Sequence, residues 1–142
     1  MIPVLNAAKI NCDSILPSRK HSDDAGLDLY ASETKIIEGN GINVIGTGIA
    51  VDIPKGYVGL IFLKSGSNFL LGGGVVDAGY QGEIKIKIFN IRTETIQIEK
   101  GQAIAQLLIV PIETPEVREV QISDLFKEKS DRGAEGGIHL PI

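Results

Sequence analysis

The chain has 142 residues, 43% of them hydrophobic, and its 14 Lys and Arg against 18 Asp and Glu leave a formal net charge of −4. One domain is the natural count at this length, and the ordinary apolar and charged fractions exclude disorder as a global description. The negative balance excludes the dense positive footprint of a general nucleic-acid binder, so a polyanionic ligand must be held by a few placed cations, backbone amides or a metal ion.

Cys12 is the single cysteine, which removes any intramolecular disulfide framework, and it reads as a small buried hydrophobe. The apolar runs stay far short of the roughly 18 residues of a membrane span, and the N-terminus lacks the basic-then-apolar layout of a signal peptide. No membrane partner is expected, and the expected compartment is a reducing, cytoplasmic one.

The chain holds 22 Ile, 9 Val and 5 Thr, side chains that suit a pleated sheet and lose rotamer freedom in helices. In chain order, Leu27 and Leu29 predict a strand whose core face leaves Asp28 on the opposite side. Val44, Ile49, Val51 and Ile53 predict inward positions around the Gly46-Thr47-Gly48 break. Turns are predicted at Glu38 to Gly41, Pro54-Lys55-Gly56, Gly72 to Gly74, Gly79 to Gly82 and Lys100-Gly101.

The apolar strand Tyr57 to Leu63 runs into Lys64-Ser65-Gly66-Ser67. A Walker loop is excluded because Leu63 stands where Gly must precede the Lys-Ser pair. A small phosphate nest of backbone N–H groups and a plain polar turn both remain open there. From Gly74 to Ile84 two alternating runs flank a tight turn, which predicts a hairpin with Asp77 at its shoulder. That carboxylate suits either proton acceptance from water or capping of its own turn.

Ile84, Ile86 and Ile88 alternate with Lys85 and Lys87, and Ile96 and Ile98 repeat the pattern. Gln106 interrupts an apolar strand between Gly101 and Val110, where an amide needs partners in the fold or in a ligand. The only predicted helix is Ile122 to Lys129, with Ser123 as its N-cap, and a glycine-rich arm follows from Ser130 to Ile142. The two histidines, His21 and His139, lack the neighbours of a zinc cluster, and no nucleophile elbow is present. The fold class is all-β, with short strands that suit a sandwich, jelly roll or barrel.

In this order, Ala25-Gly26-Leu27-Asp28-Leu29, Lys64-Ser65-Gly66-Ser67, Gly74 to Ile84, Gly101 to Leu107 and Arg132-Gly133 to Gly137 resemble the five motifs of the trimeric dUTP diphosphatase family. The resemblance implies a jelly-roll-like β-barrel over residues 1–129 and an arm over 130–142 that docks on a neighbouring subunit of a homotrimer. It implies Mg²⁺-dependent hydrolysis of dUTP to dUMP and pyrophosphate, with Asp77 as general base. Tyr80 would lie against the deoxyribose, and backbone groups around Val75, Val76 and Ile84 would pair with uracil. Lys64, Ser65, Gly66 and Gln106 would meet the phosphates, Asp28 the hydrated metal, and Arg132 the γ-phosphate from a neighbour's arm. Lys64 stands where the family has Arg, and Gly137 where it has an aromatic that stacks on the base. The related dCTP deaminase branch is disfavoured by Lys87 at the position of its catalytic Glu. A non-catalytic nucleotide-binding relative is the remaining alternative.

Overall fold

The computed structural model describes residues 4–134. Its strands are β1 (Asn6–Lys9), β2 (Leu27–Tyr30), β3 (Lys35–Ile37), β4 (Gly41–Gly46), β5 (Ile49–Asp52), β6 (Tyr57–Phe62), β7 (Leu70–Leu71), β8 (Gly74–Val76), β9 (Lys85–Asn90), β10 (Ile96–Ile98) and β11 (Ala103–Pro111). They form antiparallel sheets in the orders β2-β11-β6-β8, β4-β9-β7, β1-β5 and β10-β3. The all-β expectation holds, and several short sheets closed on one core agree with a jelly-roll-like arrangement.

The core draws on every one of these sheets, with Leu29, Ile37, Ile45, Ile49, Ile86, Ile88, Ile98, Ile104 and Leu107 buried against one another. Period-two side-chain alternation explains it most plainly in β9, where Ile86 and Ile88 are buried and Lys85 and Lys87 are exposed. In β4 the register differs from the sequence expectation. Ile45 is buried and Val44 faces solvent, because Ile45, Thr47, Ile49, Val51 and Ile53 form one unbroken period-two series through the Gly46-Thr47-Gly48 break, and Val44 falls on the other side of it.

Asn90 is the polar residue that organises one end of this core. It is 1% exposed, and its amide nitrogen donates to the carbonyls of Ile37 at 3.2 Å and Glu94 at 2.8 Å, while its oxygen accepts from Arg92 N–H at 3.0 Å. One side chain thus closes the β9–β10 connection and ties it to β3.

Two expectations are corrected here. Cys12 is exposed, because Asn11 to Ser14 make a turn in which Ser14 is the residue directed inward. The helix is a single turn, α1 (Ile122–Leu125), with Gln121 at its cap position and no side-chain cap bond; Phe126 leaves helical geometry. None of its residues is buried, so no packing supports a longer helix. Every described residue from Pro111 to Ala134 is exposed, a run that starts well ahead of Ser130.

The Asn11–Ser14 turn is fastened to the β10–β11 connection by an ion pair between Asp13 and Lys100. Lys100 holds the Asp13 carboxyl below its ordinary range, and Asp13 raises the Lys100 ammonium above its own. The lowered acid contributes above the unfolded carboxylate range and is lost as pH falls through its folded value; the raised base contributes below the unfolded lysine range and is lost as pH rises.

Two outcomes follow from this packing. Asn90→Ala, which strands the buried Ile37 carbonyl and removes the partner of the Glu94 carbonyl and Arg92 N–H at its edge, is expected to cost about 1–3 kcal/mol in urea unfolding. Lys100→Ala is expected to lower the melting temperature slightly near neutral pH and low salt, and to lower it less in acid, as pH falls through the lowered range of Asp13. Equal melting shifts of the Lys100 variant at both pH values would show that the pair contributes nothing.

Candidate active site

Strand β11 lies between β2 and β6, and its register with both sets the first half of the site. Gln106 is opposite Asp28 on one side and Phe62 on the other. Leu27, Leu29, Ala105 and Leu107 are buried in the core, so Asp28 and Gln106 share the outer face. The Gln106 amide donates to the Leu63 carbonyl at 2.9 Å, and the Lys64 ammonium pairs with Asp28. Gly26 is required here, because a Cβ at that position would fall on the Gln106 side chain.

Beyond Lys64 the chain turns on the Ser67 N–H to Lys64 carbonyl bond of 3.1 Å, and Ser65 and Gly66 occupy the exposed tip. A Cβ at Gly66 would meet nothing within 4 Å, so the tip is open to an approaching ligand.

The second half is built by Gly74 to Lys85. Strand β8 pairs with β6, with Val75 opposite Leu60 and Val76 opposite Gly59, whereas β9 pairs with β4 and β7. This corrects the predicted hairpin: the two arms belong to different sheets, and residues 77–84 carry the chain from one sheet to the other. The reason is core packing, since Ile86 and Ile88 of β9 are matched to Ile45 and Asn43 of β4, leaving β8 to extend the edge of β6.

The tight turn itself is as expected, closed by Tyr80 N–H donating to the Asp77 carbonyl at 3.0 Å. A cleft of about 190 Å³ lies between Val75 and Val76 on one side and Glu83, Ile84 and Lys85 on the other, with Tyr80 against it and Ile61 and Gly74 completing its wall. The Tyr80 hydroxyl donates to the Glu83 carbonyl at 2.7 Å, and its ring occupies the space a Cβ on Gly82 would need, 2.6 Å from that hydroxyl. Asp77 follows Val76 directly. Its carboxylate is exposed and makes no hydrogen bond to any described residue.

The predicted residues therefore fall into two groups. Asp28, Lys64, Ser65, Gly66 and Gln106 gather at the end of β6, while Val75, Val76, Asp77, Tyr80 and Ile84 gather around the cleft. Val76 lies against Gly59 and Gln106 against Phe62, and β8 runs antiparallel to β6, so Asp77 and the Asp28–Lys64 pair sit toward opposite ends of that strand. The separation along the strand axis is more than about 10 Å. Arg132 is exposed and lines a cavity whose described walls are residues of the Phe126–Ala134 segment. Gly137 lies outside the described residues.

Sequence reasoning missed Gly26 and Gly82 as space for Gln106 and Tyr80, and Ile61, Glu83 and Lys85 as walls of the cleft. The signal for the glycines was present in each motif, but only the fold shows which side chain fills the vacant Cβ position. Among the described residues no three His, Cys, Asp or Glu side chains converge.

The dUTPase family model matches residues 13–137. A deoxyuridine 5'-triphosphate nucleotidohydrolase of Mycolicibacterium gilvum is 39% identical over 146 aligned residues, covering 94% of this chain and 95% of that protein. The Staphylococcus bacteriophage 80alpha dUTPase solved with dUpNHpp superposes with a TM-score of 0.84 at 34% identity, covering 95% of this chain and 96% of that one. A mutant dUTPase from phage phi11 of S. aureus, whose structure shows the coordination of a structural Mg(II) ion, gives a TM-score of 0.79 at 33% identity over 85% of this chain and 99% of that one. A family match over nearly the whole length, on a fold that superposes throughout, means that this chain belongs to the dUTPase family.

Proposed function

We propose that this chain hydrolyses dUTP to dUMP and pyrophosphate in active sites completed between subunits of a homotrimer, with Asp77 as the general base. The observation that carries the reading is the Asp77 carboxylate, exposed beside the Tyr80 cleft with no competing hydrogen bond to a described residue. Asp77 accepts a proton from the water that attacks the α-phosphorus as pyrophosphate leaves in line, a role typically worth about 10²–10⁴ in rate. Positioning and charge neutralisation supply the remainder.

The uracil edge is read by backbone groups of Val75 and Val76; the expected share of Ile84 is corrected, because its N–H donates to the Ile49 carbonyl and its carbonyl accepts twice from Thr47. Support comes from the place of β8 at the edge of its sheet, where one row of main-chain N–H and C=O groups has no strand partner. Cytosine presents the reverse donor pattern to such a row. Tyr80 presents a half-exposed ring to the sugar and leaves no room for a 2′-hydroxyl.

The phosphate chain is held by Lys64, Ser65, Gly66 and Gln106 of a neighbouring subunit, which is why the two groups stand apart on one chain. Arg132 and Gly137 belong to the arm of residues 130–142, which closes on a neighbour's site; the uniform exposure of the described part of that arm supports this. Mg²⁺ keeps several waters and is bound through one or two carboxylates and substrate phosphates rather than in an all-protein cage. The lone Asp28 on the phosphate side suits an outer contact to such an ion, which when bound offsets charge on the triphosphate.

Incubation of the chain with Mg²⁺ and dUTP, dCTP, dTTP or UTP is expected to give pyrophosphate from dUTP alone. Asp77→Asn is expected to lower kcat by about 10²–10⁴ while dUpNHpp still binds. Ammonia from dCTP, or dUTP binding without products from the parent chain, overturns the reading. Mixed trimers co-expressed from Asp77→Asn and Lys64→Ala chains, each inactive alone, are expected to recover about a quarter of parental activity, since a random half of subunits supplies each intact half-site. No recovery in isolated mixed trimers would place both groups in one subunit's site.

A further inference from the structure

The residue that follows Gly82 has a side chain with no part in the chemistry just described. Glu83 is half-buried, and its carboxylate accepts the Gly48 N–H at 3.0 Å across 35 positions of sequence. Gly48 is buried with φ +67°, a left-handed turn in which that N–H has no strand partner of its own. A Cβ on Gly46 would overlap the same carboxylate, and Ser32 holds the Gly46 carbonyl from behind through its hydroxyl at 2.8 Å and its N–H at 3.0 Å. The β4–β5 turn is thus shaped as a receptacle for this one side chain.

The next residue is fixed to the same turn. The Ile84 carbonyl accepts from the Thr47 hydroxyl at 2.7 Å and the Thr47 N–H at 3.1 Å, and the Ile84 N–H donates to the Ile49 carbonyl at 3.0 Å. On the other side, the Glu83 carbonyl is the acceptor for the Tyr80 hydroxyl at 2.7 Å. A continuous path therefore runs from the buried turn, through the Glu83 side chain and main chain, to the ring that faces the cleft. Gly82 lies between Tyr80 and Glu83 and has no Cβ to restrict its backbone. Without the Glu83 tether, the peptide that receives the Tyr80 hydroxyl is anchored only from Ile84 onward.

We infer that Glu83 is a positioning residue that sets the seat of the Tyr80 ring, and through it the discrimination between deoxyribose and ribose nucleotides. This rests on the reading of Tyr80 as the sugar-facing ring. The carboxylate acts by accepting one N–H in a buried turn, so a neutral acceptor of the same length serves as well, and a shorter or absent side chain does not.

The test is the ratio of kcat/KM for dUTP to that for UTP, together with calorimetric affinities for dUpNHpp and its ribose counterpart. Glu83→Ala is expected to lower both ratios about tenfold or more, mainly by raising the KM for dUTP with kcat little changed. Glu83→Gln is expected to keep the ratios within about threefold of the parent, because its amide oxygen accepts the Gly48 N–H. Ser32→Ala, which loosens the same turn from the far side, is expected to lower the melting temperature and leave the ratios unchanged. If Glu83→Ala does not fold, Glu83→Asp, too short to reach Gly48, carries the same expectation. Unchanged ratios in a folded Ala or Asp variant, or an equal loss in Ser32→Ala, overturn the inference. A parent chain that does not hydrolyse dUTP overturns the function itself, which separates the two failures.

Discussion

The arrangement depends on the register of one strand. β11 pairs on both sides, and Gln106 faces Asp28 across one ladder and Phe62 across the other. A slip of one residue in either ladder would turn Gln106 into the core and Leu107 out, because side chains alternate with a period of two. Burial of Ala105 and Leu107 opposes that slip, and a register irregularity between Ala103 and Ala105 lets Ile104 be buried next to them. The Gln106 amide then bonds the Leu63 carbonyl just past the end of β6, and this places Lys64 beside Asp28. A hydrophobic constraint on one face of a strand becomes the geometry of a polar cluster on the other.

A second constraint acts where the chain changes sheets between β8 and β9. Segments that cross between sheets lose ladder bonds, and their main-chain groups need other partners. Here the β4–β5 turn supplies them, through Thr47, Gly48 and Ile49. The Tyr80 cleft is consequently walled by main chain that is fixed from the core side and open on the other. Tyr80, with its ring exposed and its hydroxyl bonded, is rigid at its tip and free across its face.

Local periodicity was the part of this structure that the sequence stated openly. Ile84, Ile86 and Ile88 face inward as their alternation with lysines requires, and Asp28 stands opposite Leu27 and Leu29 as expected. The motif resemblance named the residues of both half-sites. Long-range pairing was not legible: nothing in Gly74 to Ile84 says that β8 prefers β6 to the strand that follows it. Nor does a glutamate after Gly82 announce a partner at Gly48. Val44 faces out against expectation because the inward series runs Ile45, Thr47, Ile49 without a break, and local pattern cannot see that a threonine is buried there by its bond to Ile84. The predicted helix failed for a related reason, since helix signals in a segment with no surface to pack on do not extend beyond one turn.

Charge balance gives the two half-sites a common logic. Lys64 is already engaged by Asp28, and Lys85 shares the cleft with Glu83, so these four groups cancel and Asp77 leaves the described site one negative charge in excess. An ammonium has three donors, and with one on Asp28 the others remain for an anion, but its net field is largely spent. A triphosphate cannot be neutralised by this body alone. In the proposed function the missing positive charge comes from outside it, from an ion that travels with the substrate and from Arg132, which is exposed on its own chain. On this account the acidic body keeps free triphosphates of every kind weakly held. In the proposed trimer, tight binding is then confined to the moment when the Tyr80 cleft of one chain, the Asp28–Lys64 cluster of another and the added cations coincide on one substrate.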